Sequence, residues 1–568
     1  MKPRVLALLL LAAWLNLWGV AWGAPDPAYS QTALASGGSH PQALVHPDAF
    51  HFAERSFYMA ATGDWNPHFF ENPSLYINLN LLLHLLSGAA ADQPVAPEGA
   101  YVMREFAPFP PYVMGRVVSA LAGVLFVAFT YALGRRLFGA RAGELGALLA
   151  ALSPVVVQHS HYATTNVTAA ALATGALWAS VRLLRERAPA ATTAYLAAGL
   201  LVGLAGSAKY NAVLAGVVYV LVGLIGVRRS YVEAGQSRAL RAWRPFLLGL
   251  AAVGAGFLLG TPYALLDART FLQDVVYITT QYVGGQGYPE SDHALAFHMA
   301  HIAWFGLGLP GVVFAGVGVA ASVRARRPLT QNSAALGAAL LLSYIGVYAL
   351  VVLRARRLGD HLTLPLIGAL AALAGAGAAW ALERAGGRRS ATLRVARPLG
   401  RAVALGVVPL LAAMPLAYAI NFDALLSRPD TRELAQRWVA EHVRRGEPVH
   451  LVGPYNVPLD PADYPTTQDF GHTYQPPDAL REQAVGLAVV SDAVNFLFDG
   501  AEPLIPSPLP AQVRAALAAY DDAMTWVLRV ERPRWWGDSW PLSTAAYFHN
   551  PTIRVYCFPD VCADVIAP

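Results

Sequence analysis

The chain has 568 residues, of which 55% are hydrophobic and only 14% charged, and its mean hydropathy is +0.41. These values exclude an ordinary soluble protein, because roughly a quarter of the residues of an average soluble domain are charged. The formal net charge of +5 does not indicate a nucleic-acid partner, because the arginines cluster at the ends of apolar blocks and lysine occurs only at Lys2 and Lys209. Those blocks are long enough to cross a bilayer, which takes about 20 residues each, so the composition predicts a multi-pass membrane protein.

The first apolar run, residues 5–20, follows Lys2 and Arg4 and resembles a secretory signal peptide. It is either cleaved near Gly23 or Ala24 or retained as a first membrane helix, and both alternatives leave the next segment on the outer side. We therefore expect four parts in the chain. They are residues 1–23 (a signal-like first helix), 24–111 (first outer loop), 112–420 (membrane bundle) and 421–568 (extracytoplasmic domain).

Residues 44–86 of the first outer loop combine carboxylates, histidines and aromatic residues, which is unusual for a linker. They contain two helical patterns, one rich in phenylalanine after Asp48 and one with leucines on a single face. Helices with one apolar face tend to lie in the membrane interface, so we interpret the segment as a catalytic lid centred on Asp48. Its other candidate site residues are the supporting acids Glu54 and Asp64 and the histidines His46 and His51. Alternatively, Asp48 simply caps a helix.

Further membrane spans are predicted at roughly 112–134, 142–158, 163–183, 245–261, 301–322, 334–352, 362–382 and 402–420. The apolar block from 192 to 227 would measure roughly 50 Å as one helix, too long for a hydrocarbon core of about 30 Å. Arginines flank both of its ends, which indicates that both ends are cytoplasmic. We therefore predict a hairpin whose outer turn holds Lys209, with Tyr210 and Asn211 beside it as candidate substrate contacts. In all we expect about eleven spans, with the N-terminus inside and the C-terminus outside.

Arg354, Arg356 and Arg357 lie in a short turn that this topology places outside, beside His361. Cations on the outer face run against the positive-inside tendency, and an anionic ligand would explain them, because guanidinium groups bind phosphate bidentately. Lys209 could reach the same phosphate as a point charge. The alternatives are an error in the topology or contact with lipid headgroups for the arginines, and snorkelling for Lys209.

Several other residues are candidates for binding a metal ion or a sugar. His298 and His301 lie three apart on a helical face, but no carboxylate has clear ligand spacing with them, so a divalent metal is possible and not supported. Tyr282 could stack on a sugar, although interfacial anchoring is the favoured explanation. The sequence has no Walker loop, and no cofactor is predicted with certainty.

From residue 421 the composition becomes that of a soluble domain. An amphipathic helix is predicted at 431–443, and strands are predicted at 449–452, 486–491, 526–530 and 552–558. We therefore expect a small α/β domain on the outer face. Its two cysteines, Cys557 and Cys562, would pair in an oxidising compartment or remain free, and the spacing leaves both alternatives open.

Several stretches resemble the GT-C glycosyltransferases of the protein O-mannosyltransferase and aminoarabinose-transferase type, close to glycosyltransferase family 39. They are HPDAFHFAERSFYMAATGDWNPHFF, ENPSLY, GRVVSALAGVLFVAFTYALGRRLFG, SHYATTN, GLAGSAKYNA, LLGTPYALLD and DTRELAQRWVAEH. The resemblance implies a GT-C-like bundle in the plasma (inner) membrane that transfers a sugar from a polyprenyl-phosphate carrier to a lipid, glycan or protein acceptor. The chain departs from the family pattern at Ala49, where the family usually has glutamate, and at Asn166, where it often has aspartate.

Carried over to this sequence, the resemblance implies that Asp48 is the base or positions the acceptor, and that Lys209 and the arginine turn bind the carrier phosphate. One carboxylate and a basic cluster suffice chemically, because the leaving phosphate needs no protonation and attack by a hydroxyl needs one base. Inversion at the anomeric carbon is then expected. A transporter and a catalytically inactive relative that binds a partner are the alternatives from other classes of protein.

Overall fold

The computed structural model describes residues 3–22, 46, 48–88, 111–185, 191–284, 293–324, 333–355, 358–385, 396–452, 456–460, 462–469, 475–491, 511–531 and 551–566. The fold is mainly helical, with one small sheet near the C-terminus. Before residue 427 the α-helices are Pro3–Leu17, Ala49–Thr62, Leu75–Ser87, Pro111–Phe138, Ala140–Leu152, Pro154–Ser160, Asn166–Arg182, Ala191–Ala208, Gly216–Ala234, Gln236–Gly260, Tyr263–Leu266, Ala268–Gly284, Ala294–His301, Gly308–Val323, Ser333–Tyr348, Leu364–Ala385 and Ala396–Leu426. Three 3₁₀ turns and two π-helical turns join some of them, namely Leu183–Arg185, Tyr210–Ala215, Asp360–Thr363, Ile302–Gly306 and Ala349–Leu353.

The chain forms two compact units. The first comprises Met1–Leu17, Asp64–Leu82 and Val117–Ile420, and the second comprises Trp18–Gly63, Leu83–Arg116 and Asn421–Pro568. Within the described residues, six helices are long and apolar enough to cross a membrane, and eight if each of two bent pairs counts as one span. The protein is therefore a multi-pass membrane protein.

The predicted hairpin in the apolar block at 192–227 is confirmed. The helix Ala191–Ala208 ends before Lys209, a 3₁₀ turn follows at Tyr210–Ala215, and the helix Gly216–Ala234 completes the hairpin. Lys209 itself has extended backbone angles, with φ of −154° and ψ of 132°. The turn thus interrupts an otherwise continuous apolar segment at the lysine.

Two predicted spans are not straight helices. The segment expected at 142–158 bends by 57° between Ala140–Leu152 and Pro154–Ser160, where Pro154 begins a new helix. The segment expected at 301–322 bends by 105° before Gly308, whose φ of +71° suits glycine. Both breaks expose backbone polar groups that must find other partners.

Glycines allow two helices of the first unit to pack backbone against backbone. A Cβ atom built on Gly199 would lie 1.9 Å from the carbonyl oxygen of Gly249, and one on Gly203 would lie 2.1 Å from that of Val253. The helices Ala191–Ala208 and Gln236–Gly260 are thus joined by small residues, the usual device where a bilayer supplies no hydrophobic drive for helix association.

The second unit contains a five-stranded sheet. Its strands are β1 (Val449–Val452), β2 (Thr466–Gln468), β3 (Leu487–Ser491), β4 (Thr525–Val530) and β5 (Ile553–Cys557). The order is β2-β1-β3-β5-β4; β1 is parallel to β2 and β3, whereas β5 is antiparallel to β3 and β4. The predicted strands are confirmed, and β2 is an addition that the sequence did not indicate because it is only three residues long.

Apolar cores lie on both faces of this sheet. On one face Ala435 and Val439 of the helix Thr431–His442 belong to the same core as Leu487 and Val489. On the other, Leu517 and Tyr520 of the helix Ala511–Ala523 share a core with Ala488 and Val490. Alternate residues of β3 therefore serve opposite faces, as strand geometry requires. Shorter helices lie at Pro477–Glu482 and Cys562–Val565, and Cys557 is disulfide-bonded to Cys562.

The glycine contacts predict that replacing Gly203 by alanine lowers the thermal stability of the protein, because the new methyl group would meet backbone atoms that cannot rotate away. Overpacking of this kind costs about 1–3 kcal/mol. Gly254 in the neighbouring helix is the matched control, because nothing lies within 4 Å of its built Cβ atom. Differential scanning fluorimetry of detergent-solubilised protein should show a lower melting temperature for Gly203→Ala. The melting temperature of Gly254→Ala should not decrease. Equal melting temperatures for both variants would contradict the described packing.

Candidate active site

Asp48 occupies the N-cap position of the helix Ala49–Thr62, and its side chain makes no capping hydrogen bond to the first turn. Its backbone N–H donates to Nδ1 of His46 over 3.1 Å, and the N–H of Ala49 donates to the carbonyl oxygen of the same histidine over 2.8 Å. The Asp48 side chain is exposed, whereas His46 is buried. The backbone thus fixes the position of Asp48, while its carboxylate is not used as a cap.

Two other predicted residues lie on the same helix in different surroundings. Glu54 is 5% exposed and accepts a hydrogen bond of 2.6 Å from the hydroxyl of Tyr112. Burial raises the pKa of Glu54 to about 7, against the smaller lowering effects of Tyr112 and Arg55. Burial also lowers the pKa of His51 to about 4, although the nearby Asp48 charge raises it. Near neutral pH, His51 is therefore uncharged and Glu54 is partly protonated.

Asp64 belongs to the other compact unit. It lies 2.9 Å from Nε2 of His68, and it accepts a hydrogen bond of 3.0 Å from the backbone N–H of Asn66. That backbone hydrogen bond is the main reason why the pKa of Asp64 is lowered. The amide of Asn66 donates in turn to Asp267 over 2.8 Å, so Asp64 is part of a separate polar cluster with Asp267.

Lys209 lies at the turn of the hairpin and is half-buried. Its Nζ donates a hydrogen bond of 2.6 Å to Oδ1 of Asn166, the first residue of the helix Asn166–Arg182. The amide nitrogen of Asn166 lies 3.2 Å from Oγ1 of Thr164 and 3.5 Å from Nδ1 of His159. The lysine is therefore held by a side chain from another helix.

The carboxylate of Asp360, which the sequence did not indicate as a site residue, contacts His159 and Gln158. Oδ2 of Asp360 is 3.3 Å from Nε2 of His159 and 3.3 Å from the amide nitrogen of Gln158. Its other oxygen accepts a hydrogen bond of 2.6 Å from the backbone N–H of His361. Asp360 begins the span Asp360–Arg384, most of which is buried inside the protein. Sequence reasoning missed His159 and Asp360 because 201 residues separate them.

The remaining predicted site residues are placed as follows. His361 is half-buried, with Nδ1 3.7 Å from Asp360, and Arg354 is exposed at the end of the π-helical turn Ala349–Leu353. Arg356 and Arg357 lie outside the described residues, as does the side chain of Tyr282. The structure therefore brings His361 to the carboxylate that also contacts His159, and it does not test the arginine turn as a group.

Tyr210 and Asn211 connect the lysine turn to other segments of the first unit. The hydroxyl of Tyr210 donates to the carbonyl oxygen of Phe70 over 2.7 Å, and the amide of Asn211 donates to the hydroxyl of Tyr348 over 3.0 Å. The Tyr210 ring also contacts the rings of Phe257 and Phe271. Both residues therefore hold the turn in place.

The histidines considered for metal binding are buried in the helix Ala294–His301. His301 lies 3.4 Å from Oγ1 of Thr363, and it stacks with Phe297 and Phe305. Within the described residues, no group of three or more His, Cys, Asp or Glu side chains is arranged to hold a metal ion. A metal site remains an expectation without support from these residues.

The burial of Glu54 predicts a pH dependence of stability. Because its folded-state pKa is about 7 and its ordinary value is 4.5, the folded state binds the proton more tightly. The free energy of unfolding should therefore fall as the pH rises from 4.5 to about 7, by about 1.4 kcal/mol per unit of pKa shift. Glu54→Gln keeps an acceptor for Tyr112 and should remove this part of the slope in melting curves recorded between pH 5 and 8.

The matched control for this measurement is Asp64→Asn, because Asp64 is exposed and its pKa is shifted in the opposite direction. In Asp64→Asn the free energy of unfolding should still fall between pH 4.5 and 7, as in the unaltered protein. An unchanged slope in Glu54→Gln would show that Glu54 is not buried in its acid form.

The chain is similar to known proteins in its sequence and in its fold. The sequence model of the family described as dolichyl-phosphate-mannose-protein mannosyltransferase matches residues 111–236, and no curated protein matches the chain. Among solved structures, ArnT from Cupriavidus metallidurans bound to undecaprenyl phosphate is 16% identical, with a TM-score of 0.50 and an alignment that covers 98% of each chain.

Two further structures have lower TM-scores. The apo oligosaccharyltransferase of Archaeoglobus fulgidus is 12% identical, with a TM-score of 0.45 and 87% of this chain and 70% of that chain covered. The protein O-mannosyltransferase Pmt1-Pmt2 complex of S. cerevisiae bound to the sugar donor is 19% identical, with a TM-score of 0.35 and 48% and 34% covered. Of the three structures, ArnT is similar enough to establish a shared fold. The chain therefore shares the fold of ArnT, and its residues 111–236 are similar in sequence to the mannosyltransferase family.

Proposed function

We propose that the protein transfers a sugar from a polyprenyl-phosphate carrier to an acceptor hydroxyl on the extracytoplasmic face of the plasma (inner) membrane. The observation that carries this proposal is the hairpin turn that holds Lys209 through Asn166 at the end of two apolar helices. An ammonium group at the end of a bundle is suited to a phosphate whose lipid chain stays in the bilayer. The shared fold supports the same ligand, because ArnT was solved bound to undecaprenyl phosphate.

Asp48 is the proposed base. Its carboxylate is exposed and makes no capping hydrogen bond, whereas Glu54 on the same helix is buried and Asp64 belongs to another cluster. A general base must be ionised and must reach the acceptor hydroxyl, so the exposed acid suits this role better than the buried one. Attack by the activated hydroxyl on the anomeric carbon would displace the polyprenyl phosphate in one step and invert the configuration there.

The carrier phosphate is proposed to bind Lys209 and the arginine turn at 354–357. These cations would stabilise the charge that develops on the departing phosphate. The N-terminus is proposed to be cytoplasmic, and residues 24–111 and 421–568 to be the extracytoplasmic loop and domain, because arginines flank the predicted cytoplasmic ends of the spans. The acceptor is a lipid, a glycan or a protein.

For the base, we expect Asp48→Asn to lower the rate of sugar transfer by about 10²–10⁴, because it removes the proton acceptor and keeps the size of the side chain. Donor binding should not change. The measurement is transfer of a radiolabelled sugar from a polyprenyl-phosphate donor by purified protein in lipid nanodiscs.

Asp48→Ala provides the stability control. Because the Asp48 side chain makes no capping hydrogen bond, the free energy of unfolding of this variant should lie within about 0.5 kcal/mol of that of the unaltered protein. A normal transfer rate in Asp48→Asn would remove Asp48 from the reaction, and a loss of about 1 kcal/mol in Asp48→Ala would identify it as a cap.

For the carrier phosphate, Lys209→Ala should weaken use of the donor by about ten- to a hundredfold, which corresponds to loss of a charge-assisted contact of roughly 1.5–3 kcal/mol. The KM for the donor should therefore increase. Arg324→Ala is the matched control, because it removes an exposed cation next to the helix Gly308–Val323, on the predicted cytoplasmic side. If both variants keep the normal KM, Lys209 does not bind the phosphate.

A further inference from the structure

Four side chains from three separate segments form a continuous series of polar contacts that ends at Lys209. In order, they are Asp360, His159, Asn166 and Lys209, with successive polar atoms 3.3, 3.5 and 2.6 Å apart. His159 is 1% exposed and Asn166 is 5% exposed, and the turn at residues 161–165 separates them. The direction in which each hydrogen bond runs can be assigned from the chemistry of its two ends.

The amide of Asn166 has one possible orientation in this series of contacts. Its oxygen must face Lys209, because an ammonium group can only donate. Its two N–H groups then point to Oγ1 of Thr164 and Nδ1 of His159, which are both within 3.5 Å. If the amide were rotated by 180°, its N–H groups would face the ammonium group, and two donors would repel each other.

The orientation of Asn166 fixes the proton on the next ring. Because Nδ1 of His159 accepts from the amide, a neutral His159 carries its proton on Nε2, which faces Asp360. That contact lacks the alignment of an ideal hydrogen bond, so the attraction between the ring N–H and the carboxylate is mainly electrostatic. Asp360 in turn is held by the amide of Gln158 and by the backbone N–H of His361.

We propose that His159 and Asp360 are positioning residues for Lys209, which they fix in place by setting the orientation of the Asn166 amide. This inference rests on the proposed binding of the carrier phosphate by Lys209. It adds that Asp360, about 150 residues after Lys209 in the sequence, helps to orient the lysine ammonium group. The alignment should affect the binding of the lipid phosphate and not the stability of the C-terminal unit.

The experiment measures binding of undecaprenyl phosphate to the purified full-length protein in nanodiscs. His159→Phe keeps the ring and removes both nitrogens, and it should weaken binding about three- to tenfold, as expected for loss of an ordering hydrogen bond. His159→Asn places an amide oxygen near the position of Nδ1 and should recover part of that loss.

The decisive comparison is the same substitution in a Lys209→Ala background. If His159 acts through Lys209, His159→Phe should change binding there by no more than about 1.5-fold, because the two effects are not independent. Equal losses in both backgrounds, or no loss in the unaltered background, would overturn the inference. If Lys209→Ala itself binds normally, the proposed phosphate site fails as well, so the two failures are distinguishable.

A matched control is available in the other compact unit. His450 is also fully buried, and its Nε2 lies 2.9 Å from Asp469. His450→Phe should lower thermal stability and leave the binding constant for undecaprenyl phosphate unchanged. Weakened binding in this variant would mean that loss of any buried histidine–aspartate pair has the same effect, which would also overturn the inference.

Discussion

The limited thickness of the bilayer is the constraint on which the rest of this structure depends. An apolar segment that is too long to cross once must turn back, and here the turn falls at Lys209. Backbone and side-chain polar groups at such a turn cannot rely on water if they are buried, so they need partners from the protein. The partners come from distant parts of the chain, namely Asn166, Phe70 and Tyr348. The same constraint that divides the helix thus gathers polar side chains around one cation.

Local patterns in the sequence were sufficient for much of this architecture. The hairpin, the two helices after Asp48 and most of the strands follow from hydrophobic periodicity, flanking charge and segment length, all of which are properties of neighbouring residues. The pairing of Cys557 with Cys562, left open by their spacing, is settled by the fold. The contacts of His159 with Asp360 and of Glu54 with Tyr112 join residues far apart in sequence, and a single sequence carries no record of such contacts. The bends at 153 and 307 were missed because apolar composition continues across them.

Two departures from the family pattern have structural counterparts. Ala49 is 2% exposed, so a glutamate at this position would need space or a partner for a buried charge. Asn166 offers two N–H groups to Thr164 and His159, which an aspartate could not do because an ionised carboxylate only accepts hydrogen bonds. The nearby network is therefore adapted to the amide.

The order of strands in the C-terminal sheet has a consequence for biosynthesis. β5 follows the other four strands in the sequence, yet it lies between β3 and β4 and supplies hydrogen bonds to both. Until residues 553–557 have left the ribosome, β4 has no neighbour to join and one edge of β3 is open. The sheet therefore cannot be completed before its last-made strand is available. A chain that ended before β5 would leave β4 unpaired and one edge of β3 open, and an open strand edge can pair with other chains.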